Sequence, residues 1–453
     1  MTFNLKARAY KSKYPLKKKW RLEKVHALPY SKDKFEGAVV IPAMGESLTL
    51  PETLESIAIN NREFLLKTAV IVVVNNPLWS ERPDKALYED NLKTIEYLEQ
   101  HCSGLNLFIV RAIEHDFSLP SSMGVGLARR IGMDLALDII DLDNEVSPLL
   151  ICLDSDAPVL NNYLEKIYEI FEPVKKKKRF KRPGHGGVVN YAHRIPRKYE
   201  QARAISGYEI YLRYYRKALE FIGSVYDFHT IGSTMVSSAE GYLSVGGMPA
   251  INACEDFYFM LKLSKFTNIL KIRDTLVMPS SRAEIRAPIG TGCHVKNAVE
   301  SNIPQLAPAP ESFLVLKEWL EKVIRNNQIS AEKLISKAND LNPLFGEYLD
   351  SRSFATAWER IKKNSASEKN LLKQFHTWFD AFKIMRILNL LNNQVPVIDA
   401  VLKLFNIKYS ALSSEIIDKQ FFNNTYYVKT LKKEKKEIII KNLSVLSILR
   451  KEF

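Results

Sequence analysis

The sequence predicts an α/β protein with a mixed, mostly parallel sheet flanked by helices, followed by an all-α C-terminal unit. Three observations carry this expectation. Short runs rich in β-branched residues recur between Ala38 and Asn190, each followed after a turn by a segment with helical spacing, and beyond residue 304 amphipathic helical spacing takes over. Strands that alternate with helices favour a parallel sheet covered on both faces. In such sheets ligands bind beyond the carboxyl ends of the strands.

Taken in order, residues 1–34 are basic and aromatic, with Lys17, Lys18, Lys19, Trp20 and Arg21 together, and read as an arm outside the core. Strands are expected at Ala38–Ile41, Val70–Val74, Leu107–Val110, Leu149–Leu153 and Gly187–Asn190, with helices at Leu54–Thr68 and Leu127–Ile140. The run KKKKRFKR, Lys175 to Arg182, falls in an expected exposed loop. Pro304 to Pro310 (PQLAPAP) reads as a linker, and amphipathic helices are expected around Phe313–Ile324, Leu371–Leu391 and Val397–Phe405. The expected division is therefore 1–34, 35–303 and 304–453.

With 453 residues, 46% of them hydrophobic, the chain can bury a large core. No apolar run approaches the roughly 20 residues that span a bilayer, so a cytoplasmic protein is expected. Cys102, Cys152, Cys254 and Cys293 lack the close pairing of a zinc site or disulfide framework, which suits a reducing compartment. A formal net charge of +14 favours anionic partners such as nucleotides, phosphorylated acceptors or acidic lipid headgroups. No specific nucleic acid is expected, because no recognisable nucleic-acid motif is present.

The chemistry-bearing residues cluster behind the strands. Asp154-Ser155-Asp156 follows the strand LLICL. Two carboxylates two residues apart at a strand end can reach one hard cation, Mg²⁺ or Mn²⁺, which offsets the charge of a diphosphate leaving group. An isolated Asp-x-Asp is most often a helix cap or acidic turn, and here its place midway through an α/β unit is what singles it out. A second pair, Glu255-Asp256, opens an expected helix Phe257–Leu263, where a carboxylate either complements the helix dipole or serves as a general base. Before it stand Gly232-Ser233-Thr234 and Gly246-Gly247, whose small size lets backbone approach a ligand.

In this order the motifs resemble those of family-2-like glycosyltransferases with the GT-A fold, over roughly residues 35–294. AVVIPAMGES resembles that family's strand and Pro-x-x-Asn-Glu, with Pro42 and Glu46 matching and Gly45 replacing the asparagine. In VIVVVNNP, Asn75 and Asn76 stand where acidic base-binding residues are usual. GVGLARRIGMDLAL is similar to the Ala-Arg-Asn-x-Gly helix, keeping Ala128, Arg129 and Gly132 with Arg130 in place of asparagine. Asp154-Ser155-Asp156 is similar to the metal-binding Asp-x-Asp, and GYLSVGGMPAINACEDFYFMLKL to the Gly-Gly … Glu-Asp segment.

The resemblance implies a nucleotide-diphosphate-sugar donor bound near Pro42, Glu46, Asn75, Arg129, Asp154, Arg282 and Arg286. It implies Mn²⁺ or Mg²⁺ on Asp156 and Asp154, with His294 completing the site as in some relatives. Asp256 then acts as catalytic base, with Glu255 assisting at the acceptor. The implied reaction is an inverting transfer to a saccharide, lipid-linked or phosphorylated acceptor, with peripheral association at the inner face of an anionic membrane compatible with the charge. Retaining relatives that make glucosyl-phosphoglycerate-type solutes offer an alternative, as does a non-catalytic binder of polyanions or membrane surfaces. Nucleotidyl transfer is disfavoured, because PAMGESLTLPET is acidic and poor in the glycines that wrap a triphosphate.

Overall fold

The computed structural model describes all residues except 1–2, 17–18, 82–83, 145, 177–178, 182, 285–288, 327, 414, 416, 418–430 and 452–453. The chain divides into two compact units, one of residues 1–194 and 230–293, the other of 195–229 and 294–452. This division differs from the expected one at both boundaries, 34/35 and 303/304. Residues 1–34 belong to the first unit, and a segment from the middle of the chain joins the second.

An eight-stranded sheet in the order β1-β4-β3-β2-β5-β9-β8-β10 organises the first unit. Its strands are β1 (Glu23–Lys24), β2 (Gly37–Ala43), β3 (Thr68–Asn75), β4 (Asn106–Ala112), β5 (Leu149–Cys152), β8 (Gly186–Tyr191), β9 (Met235–Ser238) and β10 (Ile269–Val277). β2, β3, β4 and β5 run parallel, as do β8 and β10, while β1 and β9 are antiparallel to their neighbours. This is the expected mixed, mostly parallel sheet. β2, β3 and β5 are buried along their whole length, which is why they read as unbroken apolar runs. KKKKRFKR is not simply a loop: β6 (Val174–Lys176) and β7 (Arg179–Lys181) pair there as a hairpin.

The helices of this unit are α1 (Phe3–Lys13), α2 (Leu50–Ala58), α3 (Arg62–Leu66), α4 (Lys85–His101), α5 (Gly124–Ala136), α6 (Tyr163–Ile170), α8 (Ala239–Ser244) and α9 (Glu255–Phe266). The single helix expected over Leu54–Thr68 is broken, because Asn61 accepts a hydrogen bond from the Glu63 N–H at 3.0 Å and starts a new helix. Gly132 brings α5 onto the sheet, since a Cβ there would lie 2.4 Å from Val40.

The sheet also positions the site. The chain passes outward from β2 to β3 and β4, then returns to the other side of β2 for β5, so the strand order reverses between β2 and β5. Their ladder stops at Val40 and Cys152, with one further bond from the Leu153 N–H to the Val40 carbonyl at 3.1 Å. Pro42, two residues beyond Val40 on the same side, has no N–H to donate and is tolerated because its neighbour has already ended. A crevice therefore opens at the carboxyl ends of these two strands.

The expected N-terminal arm is a packed part of the first unit. Tyr10, Trp20 and Leu28 are buried, and the Trp20 indole donates to the Phe117 carbonyl at 2.8 Å. β1 covers the otherwise open edge of β4. On α5 the buried carboxylate of Asp134 accepts from the hydroxyls of Tyr10 at 2.8 Å and Tyr242 at 2.6 Å. Burial raises the pKa of Asp134 against the pull of these hydroxyls and of Arg130. Arg130 lies over the ring of Tyr14, 5.3 Å from its centroid.

The second unit contains α7 (Tyr199–Phe221), the helices Pro310–Arg325, Ala331–Leu341, Pro343–Ser351, Phe354–Lys363, Glu368–Trp378, Ala381–Leu391, Val397–Leu404 and Lys433–Lys451, and a two-stranded ribbon. The expected linker lies within this ribbon: Leu306–Pro308 pairs with Gln394–Pro396. The helix expected over Leu371–Leu391 is two, the second capped by Asp380, which accepts from the Lys383 N–H at 3.3 Å. Trp319 centres the core, with the rings of Phe379 at 5.0 Å and Phe345 at 5.1 Å. Among the described residues no helix is long and apolar enough to cross a membrane.

If the N-terminal residues are part of the first unit's core, Tyr10→Phe should lower stability by about 1–2 kcal/mol, the cost of leaving Asp134 one donor short. Tyr10→Ala should cost more through lost packing. Urea unfolding of the full chain measures both, and an arm outside the core would leave the midpoint unchanged.

Candidate active site

Five carboxylates and two arginines meet at the mouth of the β2–β5 crevice. Glu46 follows β2, and Asp154 and Asp156 follow β5. Arg129 projects from α5, Glu255 and Asp256 open α9, and Arg282 follows β10. Chain separations above a hundred residues are bridged by direct contacts: Arg129 with Glu255, and Arg282 with both Glu46 and Asp156.

The cluster has an inner and an outer layer. Arg129, with 4% of its side chain exposed, donates from Nε to Glu255 Oε1 at 3.1 Å, from Nη1 to the Gly232 carbonyl at 3.2 Å and from Nη2 to Asp154 Oδ1. Glu255 is equally buried, and burial raises its pKa against the opposing charge of Arg129. Glu46 is also buried and accepts from the Thr49 hydroxyl. Asp154, Asp156 and Arg282 retain 31%, 20% and 27% side-chain exposure and face the crevice as its reachable groups.

Two devices hold the acidic turns in place. The Thr53 hydroxyl of α2 donates to the Ser155 carbonyl at 2.9 Å, pinning the Asp154–Asp156 turn. Cys254 adopts a left-handed conformation with φ 61° and turns the chain sharply into α9, so that Glu255 and Asp256 stand at its first turn. Asp256 is partly exposed and accepts from its neighbour's Phe257 N–H at 2.7 Å. Burial of its carboxyl, and next the charge of Glu255, raise its pKa well above the ordinary carboxylate range. Burial likewise raises Asp156, opposed by Arg282.

Several expected roles change. Arg129, expected at the nucleotide or a phosphate, and Glu255, expected at the acceptor, are buried against each other, where each satisfies the other's charge. Pro42 is buried within β2. Asn75 directs its amide at the Ala43 carbonyl, 3.0 Å away, tying β3 to β2. Gly246 and Gly247 admit tyrosines of the N-terminal segment: a Cβ on Gly247 would lie 2.1 Å from the Tyr10 hydroxyl. His294 lies in the second unit, its ring stacked on Tyr208 at 4.7 Å and its pKa lowered by burial. Arg286 lies outside the described residues.

Residues that sequence reasoning missed are mostly supports. Asn91 of α4 accepts from the Gly45 N–H at 2.9 Å, and Asp90 accepts from the Ser47 N–H at 3.1 Å, fixing the loop that carries Glu46. An ordinary acidic helix surface gives no signal of this duty. Among the described residues no three His, Cys, Asp or Glu side chains converge on a metal position. The reachable donors are the carboxylate oxygens of Asp154 and Asp156. That chemistry fits a Mg²⁺-like ion, which is commonly held by one or two carboxylates together with substrate phosphates.

The inner layer generates two expectations. A Cβ on Gly232 would lie 2.2 Å from Arg129 Nη2, so Gly232→Ala should displace the guanidinium from two carboxylates. The expected loss is about 3–5 kcal/mol in denaturant unfolding, the range for breaking a buried pair. Gly104→Ala, where the nearest atom is 3.4 Å away, serves as the mild comparison. Asp256→Asn should instead stabilise the protein at pH 8. At pH 3 both folded and unfolded parent bind the Asp256 proton. As pH rises past about 3.9 the unfolded chain releases it first, so the parent loses stability until the raised folded pKa is passed. Melting curves should show the advantage of the variant at pH 8 and its disappearance at pH 3.

No protein-family model matches the chain, and no curated protein matches it. Among solved structures it is similar to S. aureus TarS residues 1–349 in complex with UDP-GlcNAc, at 13% identity over 78% of this chain and 83% of that one, with a TM-score of 0.36. It is similar also to the mannosyltransferase PcManGT from Pyrobaculum calidifontis in complex with GDP-Man and Mn²⁺, at 14% identity over 84% and 95%, with a TM-score of 0.33. A third, glucosyl-3-phosphoglycerate synthase from Mycobacterium tuberculosis in complex with UDP, shares 16% identity over 59% and 80%, with a TM-score of 0.29. These are loose likenesses.

Proposed function

We propose that the first unit is a glycosyltransferase that moves a sugar from a nucleotide-diphosphate donor to an acceptor hydroxyl with inversion. The observation that supports it best is the constellation itself: reachable Asp154, Asp156 and Arg282 beside Asp256, at the point of a parallel sheet where strand order reverses.

The roles follow from exposure and charge. Asp256, whose raised pKa makes its carboxylate a stronger base than an ordinary one, accepts the proton of the acceptor hydroxyl. The freed oxygen attacks the anomeric carbon, and the bond to the diphosphate oxygen breaks on the opposite face. Arg282 offers a planar fork for the departing diphosphate. Asp154 and Asp156 would hold a Mg²⁺ or Mn²⁺ ion, which supplies Lewis-acid stabilisation of the leaving group when bound. Arg129 acts on none of the reacting atoms and positions Asp154 and Glu255.

Screening nucleotide sugars for turnover, with Mn²⁺ and with EDTA, tests the reading. Asp256→Asn should lower kcat by roughly 10²–10⁴-fold while donor binding persists. Asp156→Ala should lose donor binding, and the product's anomeric configuration by NMR should be inverted. A folded protein that binds and turns over no donor with metal present overturns the assignment.

A further inference from the structure

One nitrogen of Arg282 stands where a cation would otherwise be drawn. Nη2 lies 2.5 Å from Asp156 Oδ2 and 2.9 Å from Glu46 Oε1, and Nη1 lies 3.2 Å from Glu46 Oε2. Two carboxylates from strands adjacent in the sheet thus converge on a single positive atom. Divalent ions take carboxylate oxygens as ligands, so an ion held by Asp154 and Asp156 would compete with that nitrogen for Asp156. The guanidinium and an ion cannot share the position, since both bear positive charge and need the same oxygen of Asp156.

We propose that Arg282 is a built-in counter-ion that withholds Asp156 from divalent cations until the diphosphate of the donor draws it away. This rests on the donor assignment above and deepens it into an order of events. Arginine forks pair with phosphate oxygens as well as with carboxylates, so an incoming diphosphate offers Arg282 an alternative partner. Once it turns to that partner, Asp156 loses the positive charge beside it, and its carboxylate, together with that of Asp154, would be open to a divalent ion. Cation and donor therefore favour each other's binding, and by linkage each raises the affinity for the other by the same factor. Arg129 does not share this role. It is buried, and its three acceptors hold it in the inner layer.

The prediction concerns binding of Mn²⁺ alone, with no nucleotide present. Free Mn²⁺ is followed by its solution EPR signal during titration of full-length protein. The parent should bind weakly, and Arg282→Gln should bind on the order of tenfold more tightly or better, the middle of the usual range for coupled sites. Arg282→Lys keeps a positive charge at the position and should stay close to the parent. Adding Asp156→Asn to Arg282→Gln should abolish the gained affinity, and circular dichroism melts of all variants separate loss of folding from loss of binding. Equal Mn²⁺ affinity in parent and Arg282→Gln, whether tight or absent, overturns the proposal. If turnover requires metal while Arg282→Gln gains no affinity, this inference fails and the donor assignment stands. If Arg282→Gln gains the site while turnover is indifferent to EDTA, the competition stands and the metal dependence of the reaction falls.

Discussion

A guanidinium as deeply buried as that of Arg129 has to be answered on every side, because an unpaired charge out of water costs several kcal/mol. Its answers come from three places: the turn after β5, the first residue of α9 and the carbonyl of Gly232. Three of the five crevice acids depend on this one side chain. Asp154 is oriented by it, Glu255 is neutralised by it, and Asp256, one residue beyond Glu255, is raised in pKa by burial and next by a neighbour that Arg129 holds in place. The left-handed turn at Cys254 and the close approach of Gly232 are the local distortions that let the three segments reach it.

Charge is distributed with a purpose in this arrangement. Glu255 sits behind and belongs to Arg129, whereas Asp154 and Asp156 sit forward with part of their surface open. A buried carboxylate is stiff because it cannot leave its partner without losing compensation, and an open one can trade a side chain for a ligand. The two arginines thus differ in kind. One is structural mortar, and the other is held by partners that a phosphate can replace.

Much of this was legible from the residue order. β2, β3 and β5 are covered on both faces, so their apolar runs stand out, and the carboxylates that matter follow two of those strands. What the sequence does not carry is the state of each side chain. Arg129 reads as a ligand contact because nothing near it in the chain tells of burial, which depends on Gly232 a hundred residues later. Gly246-Gly247 reads as room for a ligand, yet the room is taken by Tyr10. The basic composition of residues 1–34 hides the anchors Tyr10, Trp20 and Leu28, whose hydrogen bonds reach the distant Asp134, Phe117 and Asn106. The breaks at Asn61 and Asp380 escape periodicity, because one capping side chain outweighs a continuous apolar stripe.

The contacts of Tyr10 set an order on synthesis. The hydroxyl pairs with Asp134 and its ring lies beside that of Tyr242, 5.8 Å between centroids. A ribosome adding residues from the N-terminus makes α1 before either partner exists, so this helix must wait, undocked and basic, until residue 242 has emerged. Contacts of such sequence separation form late, since the loop they close has to be ordered first. Docking of α1 onto Tyr242 therefore follows translation of every strand of the eight-stranded sheet except β10.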